Sequence, residues 1–347
     1  MKKISAGLAS FGMSGMVFHA PFLTTNPGFH LKKIVERTPK GSQKIYPETE
    51  VVSRFEDLTT DQEIELIVIN TPDHSHYNLA KEALLAGKHV IVEKPFTLTT
   101  REGEELMRLS SERDLVLTVY QNRRWDGDFL TIKKILEERL LGPLVEYEAH
   151  FDRFRNYIQP DTWKEDPEVG TGILYNLGSH MIDQSLVLFG MPEKLYANLR
   201  IIRENGRVND YYDIHLYYDS LKVILKSSYL VREPGPRYIL HGMNGSFVKH
   251  GIDPQEDVLK RGEKPVGDKW GMEEKRYWGI LNTEINGKPV RKRIETLPGN
   301  YHFFYDNVYS AIREGKELSV NPQEALDVIR IIEAAVESNH AQEVISI

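Results

Sequence analysis

Cysteine is absent from the 347 residues of this chain, which excludes disulfides, thiolate nucleophiles and cysteine-ligated metals. Long hydrophobic runs are absent as well, and nothing approaches the roughly 20 apolar residues that cross a bilayer. The opening Met1-Lys2-Lys3-Ile4 has the charge of a signal peptide but lacks the apolar segment and small-residue cleavage site that would complete one. Positive charge is not in excess. Lys and Arg number 44 against 51 Asp and Glu, a net charge of -7, whereas a phosphate backbone calls for a basic face. What is present suits a globular protein, 40% hydrophobic and 27% charged, and the length exceeds what one hydrophobic core usually serves. Two domains are expected, in a cytoplasmic protein that acts on or senses a small molecule, with neither nucleic acid nor membrane as partner.

The first third alternates strand and helix. Strands are expected at 4–9, 31–35, 50–52, 64–70, 88–93 and 115–120, with helices at 74–86 and 100–112, a pattern that builds a parallel, doubly wound sheet. Val90-Ile91-Val92 reads as a buried strand that stops at Glu93-Lys94-Pro95. Ligands of open α/β sheets sit at that end of a strand, so Lys94 is the first candidate functional residue. Upstream, Ser10-Phe11-Gly12-Met13-Ser14-Gly15 is a G-x-G-x-x-G turn with Ser10 in place of the first glycine. Gly12 would let the backbone approach a pyrophosphate, Gly15 would let the following helix pack on its strand, and the Ser10 hydroxyl could donate to a phosphate. Glu36 ends the second strand about 20 residues further on, where a carboxylate bonds the ribose of NAD; Arg37 and Thr38 beside it could grip the 2′-phosphate of NADP. Both cofactors stay open, with a lean to NADP. The Thr71-Pro72 turn is another strand end at the same edge.

Beyond Tyr120 the alternation stops, which suggests domains of 1–121 and 122–347. A helix is expected at 128–139, strands at 145–154, 211–218, 222–229 and 238–241, a turn at 242–245, an irregular loop at 262–275, and a helix at 322–340 that opens on a proline. If 176–189 is one α-helix, Asn176, His180 and Asp183 fall at i, i+4 and i+7 and share a face. Asparagine is a poor transition-metal ligand, so no metal site is expected there.

These motifs together resemble the Gfo/Idh/MocA oxidoreductases. The likeness rests on the Gly-rich turn, Thr71-Pro72 with His76, Gly87-Lys88-His89-Val90 through Glu93-Lys94-Pro95, Asn122-Arg123-Arg124-Trp125-Asp126, residues 178–184, Gly235-Pro236-Arg237-Tyr238 and residues 251–257. The later motifs are similar to the NADP-dependent scyllo-inositol dehydrogenase branch. The resemblance implies an α/β protein: an N-terminal Rossmann domain with a doubly wound parallel sheet, then an α+β domain with a large, open, mostly antiparallel sheet, and no metal. It also implies a cis peptide at Lys94-Pro95, a cofactor side lined by His76, Glu93, Tyr120 and Asn122, and Trp163 near the nicotinamide. In the family an aspartate usually stands one turn before the catalytic histidine; here Asn176 holds that place.

Oxidising a secondary alcohol requires a base for the hydroxyl proton while hydride leaves the carbon. Histidine, with an ordinary pKa of about 6.5, suits that task at His180. Lys94 would hold the same oxygen and stabilise it as negative charge develops. Asn176 can orient the ring without offering a carboxylate's electrostatic support. Arg124, Trp125, Asp152, Arg155, Tyr157, Asp183 and Tyr238 are candidate substrate residues, a mixture of donors, acceptors and flat faces that suits a cyclic polyol or sugar. A cofactor-bound sensor with little catalysis, and a dehydrogenase of a non-sugar alcohol such as a dihydrodiol, are the alternatives. One exposed face of the second sheet would make the protein a homodimer or homotetramer.

Overall fold

The structure, a computed structural model, describes residues 2–38 and 41–347. The chain forms two compact units. One comprises Met1–Trp125, Pro254–Trp270 and Asn300–Leu326; the other comprises Asp126–Asp253, Gly271–Gly299 and Asp327–Ile347. Where the sequence suggested one boundary after 121, the units interleave along the chain. Aromatic residues far downstream complete the first unit's core: the Phe22 and Tyr305 rings stack at 5.8 Å, and Tyr120 meets Phe304 edge-on at 4.9 Å.

The first unit is built on β1 (Ile4–Leu8), β2 (Phe29–Val35), β3 (Glu50–Val52), β4 (Leu66–Ile69), β5 (His89–Val92) and β6 (Leu117–Val119), all parallel in the order β3-β2-β1-β4-β5-β6. The expected strands are all present. Ile67, Val68, Ile69, Val90, Ile91 and Val92 are inaccessible to solvent, as in a sheet covered on both faces. The chain winds one way from β1 to β3 and the other way from β4 to β6, so the topological switch lies between β1 and β4. The helix Thr100–Glu112 falls at its expected bounds because Thr99 and Glu102 form a reciprocal capping box.

The second unit carries β7 (Leu144–His150), β8 (Lys194–Arg200), β9 (Tyr211–Tyr217), β10 (Lys222–Ser228), β11 (Tyr238–Gly242), β12 (Gly245–Lys249), β13 (Gly279–Ile285), β14 (Lys288–Ile294) and β15 (Ile345–Ser346). They form one sheet in the order β14-β13-β12-β11-β7-β10-β9-β8-β15, antiparallel except where β7 lies parallel to β10. The expected turn at 242–245 joins β11 to β12. Strands β8 and β12 to β15 escape the sequence reading; β14, with four basic residues among its seven, is a charged edge strand that only its neighbour reveals. Along β7 and β9 exposure alternates with period two. Tyr147 and Tyr212 face the core, while Glu148, His150, Asp213 and His215 look out from the other face.

The helix expected at 176–189 differs in its first turn. Leu174–Gly178 is a π-helical turn, closed by the Ser179 N–H on the Leu174 carbonyl, and an α-helix follows over Ser179–Phe189. Asn176 therefore lies in the π-turn, whereas His180 and Asp183 lie on the α-helix. Gly172 prepares this turn with φ of +85°, and a Cβ there would meet the Asn209 side chain at 2.7 Å. Among the described residues no helix is long and apolar enough to cross a membrane. Gly172→Ala combines a left-handed backbone with that clash and is expected to lose about 1–3 kcal/mol in urea denaturation; an unchanged midpoint would show that the segment relaxes freely.

Candidate active site

Three neighbouring strand ends make the site in the first unit. After β1, the Ser10 N–H donates to Asn70 Oδ1 at 3.0 Å, and Asn70 Nδ2 returns a bond to the Ser10 carbonyl at 2.8 Å, so the turn after β1 is clamped to the end of β4. Ser10 Oγ accepts from the Gly12 N–H at 3.2 Å, which turns the hydroxyl back on its own loop while leaving its proton available to donate. A Cβ at Gly15 would lie 2.5 Å from the Ser10 carbonyl oxygen and 2.9 Å from Asn70 Nδ2, so only glycine permits this approach. A Cβ at Gly12 would meet nothing nearer than Ser10 Oγ at 3.5 Å. This tight turn, open at Gly12, sits beside the topological switch and fits a dinucleotide. Met13 is exposed and Ser14 half-buried, but the Phe11 ring is enclosed and packs edge-on against Tyr46 at 6.2 Å, so only its backbone can face a ligand.

After β5, Glu93 is buried and fully engaged. Its carboxylate accepts from Ser14 Oγ, from His19 Nε2 at 3.1 Å and from the Lys94 N–H at 2.9 Å. Burial would raise its pKa, but the His19 hydrogen bond, attraction to His19 and Lys94, and the Ser14 bond outweigh it and hold the carboxyl at about 2. Lys94 is half-buried, and its peptide bond to Pro95 is cis. His76 is a brace rather than an exposed wall: it is inaccessible, with Nδ1 2.9 Å from the Pro95 carbonyl and Nε2 3.0 Å from the Thr71 carbonyl. Thr71 Oγ1 meets Ser75 Oγ at 2.7 Å, and Pro72 is half-buried beside it.

At the end of β2, Glu36 is buried and accepts from the Ser42 N–H at 2.9 Å, while Arg37 and Thr38 are exposed. Asn122, Arg124 and Trp125 occupy a 3₁₀ turn after β6. Asn122 is buried, and Arg124 donates to the Ser319 carbonyl and to Glu324, both at 2.8 Å. These bonds tie Arg124, a candidate substrate residue, to residues 319 and 324. The Trp125 ring stands edge-on to Phe304 at 5.8 Å, and the buried Tyr120 donates to the Phe18 carbonyl at 3.0 Å.

In the second unit, Asn176 is half-buried and His180 and Asp183 are buried, on the helix that the π-turn opens. Tyr238 is inaccessible, and its hydroxyl donates to Gln184 at 2.9 Å. Asp152 accepts from the Ser228 N–H at 3.0 Å, and Arg155 lies over the Tyr229 ring. Tyr157 is exposed, with its carbonyl taken by Arg203. Trp163, half-buried in the turn Trp163–Glu165, borders a surface cavity with Ile158, Pro160, Asn205 and Arg207.

Sequence reasoning missed His19, Asn70 and Arg203. Arg203 is buried and grips Glu165 through both terminal nitrogens, at 3.1 and 2.9 Å, and Asp210 through Nε at 2.8 Å, which pins the segment carrying Trp163. Asn70 stands one residue before the Thr71-Pro72 turn, a usable signal. His19 lay within the expected apolar helix, where a histidine is more often a satisfied core residue.

Family models match two stretches: an NAD-binding Rossmann fold of an oxidoreductase family over residues 4–121, and the C-terminal alpha/beta domain of the same family over residues 133–347. The chain is 43% identical to scyllo-inositol 2-dehydrogenase (NADP(+)) of Bacillus subtilis, over 97% of this chain and 94% of that protein. It is 39% identical to an uncharacterized oxidoreductase of Escherichia coli, over 96% of each. A crystal structure from Bacteroides fragilis, provisionally assigned as an oxidoreductase, shares 51% identity and superimposes with a TM-score of 0.92 over the whole of both chains. The turn at Gly15, the strand end at Lys94 and these matches lead to one conclusion: the chain belongs to the Gfo/Idh/MocA oxidoreductases.

Proposed function

We propose that this protein is an NADP-dependent dehydrogenase of a cyclic polyol or sugar, with an inositol as the substrate class to try first. The observation that carries the reading is Lys94, at the end of β5 beside the clamped Ser10–Asn70 turn, where a doubly wound sheet receives its ligand. The similarity to an NADP-dependent scyllo-inositol 2-dehydrogenase supports the substrate class. Residues 10–15, Thr71, Pro72 and the backbone at Glu93 would hold the nicotinamide dinucleotide, which when bound supplies the hydride acceptor. In this reading the Lys94 ammonium holds the substrate oxygen, His180 takes its proton, and Asn176 and Asp183 orient the imidazole. Trp163 would flank the nicotinamide, and Asn122, buried in the turn after β6, would serve the same side. Trp125, Asp152, Arg155 and Tyr157, with Arg124 and Tyr238, are candidates for the remaining hydroxyls.

The choice of NADP rests on Glu36. Its carboxylate is committed to the Ser42 N–H at 2.9 Å, while Arg37 and Thr38 stand in solvent. An acid turned into its own loop leaves a 2′-phosphate unopposed. A regulator that binds cofactor with little turnover is the second reading, favoured by Asn176 in the place of an aspartate.

Oxidation of a panel of inositols and sugars, followed at the reduced-nicotinamide absorbance, is expected to reveal turnover that Lys94→Ala and His180→Ala each lower by roughly 10²–10⁴. Turnover that survives both changes would refute the roles. Absence of turnover on every polyol, not restored by Asn176→Asp, would favour the regulator. Arg37→Ala is expected to weaken NADP binding about tenfold, about 1.4 kcal/mol, with NAD binding unchanged; equal losses for both would remove the 2′-phosphate contact. The half-exposed sheet face bearing Glu148, His150, Asp213 and His215 supports self-association, so analytical ultracentrifugation is expected to show a homodimer or homotetramer, and a strict monomer would end that proposal.

A further inference from the structure

The strand end that presents Lys94 is held by an array in which two buried residues, His19 and Tyr305, lie outside every motif used above. His19 is inaccessible to solvent, and so is Tyr305. His19 Nδ1 meets the Tyr305 hydroxyl at 2.7 Å across 286 residues of chain, and His19 Nε2 meets Glu93 Oε1 at 3.1 Å. An ionised carboxylate only accepts, so the Nε2 proton belongs to His19. The same Oε1 accepts from Ser14 Oγ, and the other oxygen, Oε2, accepts from the Lys94 N–H at 2.9 Å. The ring is packed as well as bonded, with its centroid 4.5 Å from that of Tyr120. Glu93 thus spans the fingerprint turn and the Lys94 backbone, and His19 fixes which way that carboxylate points.

We propose that His19 is a positioning residue for Lys94, acting through the Glu93 carboxylate, and that Tyr305 sets the orientation of His19. The proposal rests on the reading that Lys94 serves the reaction. Two longer-range facts favour it. His19 and Tyr305 are closed to water, so no solvent molecule can take the place of either without entering the core. Glu93 has a depressed folded-state pKa, so its stabilising contribution is present above the ordinary carboxyl value of 4.5 and is lost only as pH falls towards about 2. The anchor therefore persists throughout any neutral working range.

The experiment compares His19→Ala, His19→Gln, Glu93→Gln and Lys94→Ala in the full chain. NADPH affinity is read by fluorescence, kcat and KM on the best polyol, and hydrogen–deuterium exchange in the unliganded protein on the peptide covering residues 89–96. His19→Ala is expected to lower kcat about 10- to 100-fold with NADPH affinity changed less than about threefold, and to speed exchange in that peptide. His19→Gln, whose amide can still donate to Glu93, is expected to recover part of both. The double variant with Lys94→Ala should be no slower than Lys94→Ala alone. Glu93→Gln, close in shape to the native residue, should reproduce the loss and serves as the test if His19→Ala does not fold. Wild-type kcat and exchange in His19→Ala, or in Glu93→Gln where that stands in for it, or losses additive with Lys94→Ala, would overturn the proposal while leaving the catalytic reading intact. Undiminished turnover in Lys94→Ala would instead remove that reading, and this proposal with it.

Discussion

A carboxylate buried at the end of a parallel strand must be satisfied from within the protein, and much of the first unit's site follows from how Glu93 meets that requirement. Taking an ionised carboxyl out of water is costly unless several donors converge on it. Here Ser14 and His19 come from the segment after β1, and the backbone N–H of Lys94 comes from the strand end itself. The residues that satisfy the acid therefore belong to the nucleotide turn and to the lysine step, and neither can shift without exposing a buried charge. The Ser10–Asn70 clamp and the His76 brace extend the same logic to the loop after β4.

The second unit solves a similar problem with an arginine. Arg203 is buried against Glu165, Asp210 and the Tyr157 carbonyl, with the Tyr229 ring 4.9 Å from its guanidinium carbon. Four side-chain hydrogen bonds and a flat face hold an irregular segment that has no regular secondary structure to stiffen it beyond the short turn at Trp163. In both units a charged residue inside the protein lends order to a loop.

Much of this architecture was legible in the chain. The parallel sheet followed from apolar, β-branched runs alternating with helical segments, since strands covered on both faces have no polar side to show. The helix Thr100–Glu112 was read at its observed bounds, and the glycine turn announced a close approach that the distance at Gly15 explains. Less was legible where neighbours decide. That the Tyr238 hydroxyl bonds Gln184 and the Arg124 guanidinium bonds Glu324 is a matter of distant neighbours that local spacing does not reveal. The charged strand β14 carries no hydrophobic signal of its own, and the π-turn at Leu174–Gly178 cannot be told from an α-turn by periodicity over so few residues.

By itself, the sequence determined the fold class, the family, the position of the nucleotide turn and the choice of Lys94 and His180 as candidates, because these depend on local spacing and on residue chemistry. Only the tertiary structure decided which polar groups are already spent. His19 and Tyr305 meet across 286 residues, and Glu36 turns to Ser42 instead of outward. Hydrogen-bond partnership is a property of positions in space, and a chain read in order carries no record of which distant atoms will arrive within three ångströms of one another.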